Sequence, residues 1–151
     1  MVRKQKGITF YESVGRRKEA VARIRLYITD KEKVVSVQTD KIKQGDIMVN
    51  HKLIQDVFPS LLEKVQYLKP LKLTNNESRF AISIVVKGGG KTSQLDAIIH
   101  GLSRAIEKVD KETYRPILKK ERFLRRDPRT RERRKVGTGG KARRAKQSPK
   151  R

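Results

Sequence analysis

The sequence predicts an α+β fold: a small, mostly antiparallel sheet with packed helices, continued by a long basic arm. Three observations carry this. In residues 20–28 (AVARIRLYI), Ala22, Ile24, Leu26 and Ile28 alternate with Arg23, Arg25 and Tyr27, the period-two pattern of a half-buried antiparallel strand. Residues 79–87 (RFAISIVVK) are apolar or small on both faces, which predicts a central strand, and an amphipathic helix follows it. From Lys119 to Arg151 the chain holds 16 Lys or Arg against Glu121, Asp127 and Glu132, with no apolar periodicity beyond Phe123 and Leu124. A segment that buries so little cannot offset its ordering entropy alone and takes its shape from a polyanion.

The net charge of +23 over 151 residues sets the class of partner. Repulsion of that size is tolerable only beside a permanent anionic partner. No stretch approaches the roughly 18 consecutive apolar residues of a membrane span, and the basic segments lack the apolar face of an interfacial helix. MVRKQKGITF runs from basic straight into strand-like residues without the apolar centre of a secretory signal. Without cysteine, and with two isolated histidines, the chain has no disulfide framework or Cys/His zinc site, and a reducing compartment is expected. Of the three possible anionic partners, nucleic acid, a membrane or an acidic protein, no membrane partner is expected, and RNA is the favoured reading.

Taken in order, residues 8–14 and 20–28 read as paired strands, with Arg16, Arg17 and Lys18 in the turn after Gly15. Three cations at a hairpin tip are costly in isolation and favour phosphate; an idle charged loop is the bland alternative. Arg23 and Arg25 mark either a solvated face or an RNA-facing one. Residues 33–39 predict a short strand, 41–46 a polar turn and 47–50 a further strand. Residues 53–58 and 61–68 predict two short helices broken at Pro59, and 69–78, with Pro70 and Asn75-Asn76, a loop. After Gly88, Gly89 and Gly90 a helix starts near Thr92 or Ser93, with Ser93 and Asp96 in a capping-box relation. Leu95, Ile98, Ile99, Leu102, Ile106 and Val109 give it one apolar face, and it ends near Asp110. A shorter helix spans 111–121. The globular body is thus 1–124 and the tail 125–151.

VVKGGGKTS invites comparison with a phosphate-binding loop, but the glycine required five residues before Gly90 is Val85, inside a strand. The glycines instead allow close backbone approach, and the helix start flanked by Lys87 and Lys91 suits an RNA phosphate. His100 has no Ser, Cys or paired carboxylate spaced to work with it, so no catalytic residue, enzyme activity, metal or cofactor is expected. In the tail, Asp127-Pro128 and Gly137–Gly140 break any continuous recognition helix. From Lys119 to Arg151 arginines outnumber lysines ten to six, which suits bidentate phosphate contacts and base stacking. The 23 residues from Arg129 to Arg151 reach on the order of 75 Å when extended, enough to thread a large RNA.

Several blocks in order resemble the small-ribosomal-subunit protein nine family, in its bacterial or organellar type. They are Gly15-Arg16-Arg17-Lys18-Glu19-Ala20-Val21-Ala22-Arg23-Ile24, Val86–Gly90, and His100-Gly101-Leu102-Ser103-Arg104-Ala105. The run Arg115–Lys135 and the ending Lys141–Arg151 complete them. The resemblance implies an α+β fold with a left-handed βαβ crossover, like the second domain of ribosomal protein S-five. It implies a structural, non-catalytic role on small-subunit rRNA in the subunit head, beside neighbouring ribosomal proteins, in a bacterial cytoplasm or an organelle. It also implies that Lys150 and Arg151 approach the anticodon stem-loop of the peptidyl-site transfer RNA. Two features depart from the family pattern: the longer stretch from Lys33 to Gln44, and Pro149 before the final Lys-Arg.

Together these readings make Arg16, Arg17, Lys18, Lys87, Lys91 and Arg104 the candidate rRNA contacts of the body. In the arm the candidates are Arg122, Arg125, Arg126, Arg129, Arg131, Arg133, Arg134, Lys135, Lys141, Arg143 and Arg144. A free-standing RNA- or DNA-binding regulator is the alternative, and a small nucleotide-binding enzyme built on the GGGKT loop the third reading.

Overall fold

The computed structural model describes residues 2–5, 8–28, 34–37 and 40–133. Arg134, Lys135, Lys141, Arg143, Arg144, Lys150 and Arg151, with the glycine break at 137–140, lie outside the described residues. So do Lys33, Gln38 and Thr39 of the strand predicted over 33–39.

The strands are β1 (Val2–Gln5), β2 (Ile8–Arg17), β3 (Ala20–Ile28), β4 (Val35–Val37), β5 (Asp40–Ile42), β6 (Ile47–Val49), β7 (Lys52–Leu53) and β8 (Phe80–Lys87). The helices are α1 (Ile54–Val57), α2 (Leu61–Leu73), α3 (Lys91–Val109) and α4 (Lys111–Lys120). Six strands form one sheet in the order β1-β2-β3-β8-β6-β7. Every pairing in it is antiparallel except β6 with β8, which α1 and α2 join as a parallel βαβ crossover. β8 lies between β3 and β6, which accounts for its apolar character on both faces.

Strand alternation divides the core in two. Ala20, Ala22, Ile24 and Leu26 of β3 and Phe80, Ile82, Ile84 and Val86 of β8 pack on one side against Leu95, Ile98, Leu102 and Ile106 of α3. Each of these apart from the two alanines, when buried, contributes roughly 1.5–3 kcal/mol. On the other side Phe10, Tyr27 and Ala81 are covered by Val35 and Ile42, from the two-stranded β4–β5 sheet. β4 and β5 therefore supply a lid to the second sheet face, where helices are absent among the described residues.

Four local expectations are corrected. Arg16 and Arg17 belong to β2 and pair with Val21 and Ala20, so the turn is reduced to Lys18 and Glu19, with Lys18 at φ 49°. The predicted turn at 41–46 begins later, because Asp40–Ile42 pairs with Val35–Val37. α2 runs through Pro70 to Leu73 where a loop was expected. An interior proline costs a helix about 3 kcal/mol, offset here by the burial of Tyr67, Pro70 and Leu71, while the Thr74 hydroxyl donates back to the Pro70 and Leu71 carbonyls. Finally, α3 begins at Lys91 with Gly90 as its N-cap and no side-chain cap, so Ser93 and Asp96 form no capping box. That device appears instead at Ser60 and Glu63, at the start of α2.

Candidate nucleic-acid interface

The glycine run explains itself locally. Gly88 and Gly89 have φ of 73° and 65°, and a Cβ on Gly88 would meet the Glu19 carbonyl oxygen at 2.5 Å. The run thus lets the β8–α3 connection lie against the β2–β3 turn, which brings Lys18 and Lys87 to the same end of the sheet. Lys91 turns back onto the protein, pairing with Glu63 at 3.0 Å and lying over the Phe58 ring.

The seam between α3 and β2 is closer still. A Cβ on Gly15 would stand 2.0 Å from the Ala97 carbonyl oxygen and 2.4 Å from the Gly101 nitrogen. One on Gly101 would stand 2.4 Å from Ile24 Cδ1. Two glycines facing each other let the helix touch the strand, and the Ser13 hydroxyl donates to the Gly101 carbonyl across the contact. β1 covers the outer edge of β2 only as far as Tyr11. Beyond it, the exposed edge groups at 12, 14 and 16 are met by α3 residues spaced four apart. Lys108 donates to the Glu12 carbonyl, Arg104 to the Val14 carbonyl, and the Arg16 amide donates to His100 Nδ1. An unpaired strand edge is thereby closed by side chains.

The Leu124 backbone also lies within hydrogen-bonding reach of the His100 ring, so the ring joins the strand edge to the point where the arm leaves α4. Burial, then the nearby Arg104 and Arg126 charges, hold its pKa below the usual 6.5. A neutral ring suits both bonds, since imidazolium has no acceptor.

Arg17 performs the second attachment. Alternation along β2 directs it toward α3, where it pairs with Asp96 at 3.5 Å and with Asp127 at 3.0 Å. It also donates to the Arg129 carbonyl at 2.7 Å. Asp127 in turn holds Arg129 through both carboxylate oxygens. Hydrogen bonds from Arg129 first, with the charges of Arg129 and Arg17 behind them, keep the Asp127 carboxyl far below its ordinary range. The lone acid among the arginines of the arm root is therefore a latch, and its isolation in a basic run was the sequence signal for it.

Around this latch lies a cleft of about 380 Å³, bordered by Arg16, Arg17, Arg125 and Arg129 with His100 and Asp96. Ile99 and Phe123 supply its apolar surface. A second hollow of about 440 Å³ continues along Arg122, Arg125 and Arg126. Arg16, Lys18, Lys87, Arg122, Arg125 and Arg126 are exposed and make no ion pair with another described residue. Arg17, Lys91, Arg104 and Arg129 are engaged by protein groups. Arg131 and Arg133 lie exposed on the outgoing chain. Among the described residues no helix is long and apolar enough to cross a membrane.

The structure thus presents a folded body with a cationic rim and a latched basic arm. The sequence matches the ribosomal protein S9/S16 family over residues 15–151, which takes in the glycine contact, the whole of α3, the latch and the arm. The chain is a member of the ribosomal protein S9/S16 family, a structural RNA-binding constituent of the small ribosomal subunit that serves translation.

Proposed function

We propose that the chain binds small-subunit rRNA in the head of the subunit, with its body docked by one set of cations and its arm threaded through RNA. The observation that carries this is the cleft at the arm root. There Arg16 and Arg125 line the cleft, with Arg122 and Arg126 along the adjoining hollow, while Arg17 pairs with Asp127 where the arm departs. Guanidinium groups take phosphate oxygens in pairs, and the Phe123 and Ile99 surface suits an unstacked base or a ribose. Lys18 and Lys87 extend the cationic rim along the end of the sheet, and Arg131 and Arg133 continue it along the arm.

No chemical step is involved. The work is neutralising phosphates, which releases counter-ions, and holding RNA segments in register. In the same reading Arg134, Lys135, Lys141, Arg143 and Arg144 carry the arm through rRNA. Lys150 and Arg151 reach the anticodon stem-loop of the peptidyl-site transfer RNA.

Sedimentation of a cell extract tests the assignment. The chain is expected in the small-subunit peak, and removal of residues 129–151 is expected to deplete it there. A chain found in the soluble fraction would favour a free-standing regulator instead.

A further inference from the structure

Asp127 has the wrong sign for its place. It lies in a cleft whose other charged side chains are Arg16, Arg17, Arg125, Arg129 and Asp96, at the root of a basic arm. On charge alone an acid there repels phosphate, and any polyanion would bind better without it.

Its contacts give it another task. The segment 126–130 belongs to no helix or strand, so no ladder of backbone bonds sets its course. Asp127 Oδ1 accepts from the Arg129 amide at 3.0 Å, which closes an Asx-turn across Pro128, whose ring presets φ. The two carboxylate oxygens also hold the Arg129 guanidinium, at 3.0 and 2.7 Å. Arg17 ties this turn to the body from β2, with a side chain only 13% exposed. It pairs with Asp127 Oδ2 at 3.0 Å and donates to the Arg129 carbonyl at 2.7 Å. Upstream the chain is anchored again, where Phe123 and Leu124 pack against the main core. Arg125 and Arg126 stand exposed between the two ties.

We propose that Asp127 is a positioning residue of the RNA-binding site: with Arg17 it orders the arm root before RNA arrives, and so favours RNA that fits this course over RNA at large. The proposal rests on the ribosomal reading and adds to it a source of specificity. An arm already directed loses less freedom on docking, which strengthens binding where phosphates match its path. Where they do not match, the carboxylate repels phosphate and keeps Arg17 and Arg129 occupied.

The experiment compares the full chain with its Asp127→Ala variant on two probes at matched salt, a fragment of small-subunit head rRNA and poly(U) of the same length. The variant's net charge rises by one and two guanidinium groups are released. Affinity for poly(U) is expected to rise, with a steeper salt slope, while affinity for the rRNA fragment falls at least about fivefold. A rise on both probes would reduce Asp127 to a diluent of charge and overturn the proposal. A fall on both, or an unchanged rRNA affinity, would overturn it as well. Arg17→Met added to Asp127→Ala is expected to lower the ratio of rRNA to poly(U) affinity no further, because the two residues act as one unit; an additive loss would contradict that. Amide exchange at Arg129 in the free chain should be faster in Asp127→Ala, and equal exchange would overturn the ordering on which the proposal depends. If the wild-type chain prefers neither probe, the ribosomal reading fails, while ordering of the root is still read from the Arg129 amide, so the two failures are distinguishable.

Discussion

The seam between α3 and β2 and the root of the arm are both rich in cations, and they use them in opposite ways. Along the seam each cation ends on a protein oxygen: Arg104 on Val14 and Lys108 on Glu12. At the root, Arg122, Arg125 and Arg126 are exposed and make no ion pair with another described residue. Arg17 joins the two regions, one arm of its guanidinium near Asp96 on the helix and another at Asp127 on the outgoing chain. A positive residue at the surface of a basic chain is thus not by itself a free one. What distinguishes the two uses is whether a carbonyl or carboxylate of the protein already lies within reach.

The sharpest way to break the seam is at its glycines. Gly15→Ala is expected to cost about 3 kcal/mol or more, because the new Cβ meets the Ala97 carbonyl and the Gly101 backbone, neither of which can turn aside. Urea denaturation measures this, and a midpoint near that of the wild type would refute the contact.

Next comes the joint. Arg17→Met keeps the apolar stem but releases Asp96, Asp127 and the Arg129 carbonyl, and should lower Tm on the order of 5 °C. It should also raise amide exchange at Asp127–Arg129 while leaving α3 protected.

A smaller, pH-dependent effect belongs to His100. Its pKa is lowered in the folded chain, so its contribution is fully present above about 6.5, where the unfolded ring is neutral. The contribution is lost as pH falls through the folded value, since the charged ring can no longer accept from the Arg16 amide. Stability measured between pH 7.5 and 5 should show that decline, and His100→Gln should flatten it. A stability that rises on acidification through this range would reverse the sign and exclude the reading.

The smallest effect is expected at the tip. Removing Lys150 and Arg151 should weaken transfer-RNA binding at the peptidyl site by about 1 kcal/mol or less per residue, fading with salt, and leave subunit assembly intact. Unchanged transfer-RNA affinity in low salt would count against that contact.

Much of the fold was legible because its signals are local. β3 and β8 announced themselves by alternation and by two apolar faces, and α3 by the spacing of Leu95 to Val109. α2 was legible only in part. Its apolar residues point both inward and outward, which removes the helical period, and Pro70 reads as a break unless the burial of its neighbours is known. At the candidate interface the cations were visible as residue types, but their partners were not. Arg17 and Asp127 are 110 residues apart in the chain, and no local pattern joins them. The role of His100 is hidden for the same reason: its significance lies in the Arg16 amide, on a strand 84 residues earlier.

The division of labour among the cations is tested most directly by the salt dependence of binding to a small-subunit rRNA fragment. Each phosphate contact contributes about 0.7–0.9 to the slope of log affinity against log salt. The Arg122→Ala/Arg125→Ala/Arg126→Ala chain should lose roughly two to three units of slope with its urea midpoint unchanged. The Arg104→Ala/Lys108→Ala chain should keep most of its slope and unfold at lower urea. An unchanged slope in the first chain, or an equal loss of slope in the second, would contradict the account.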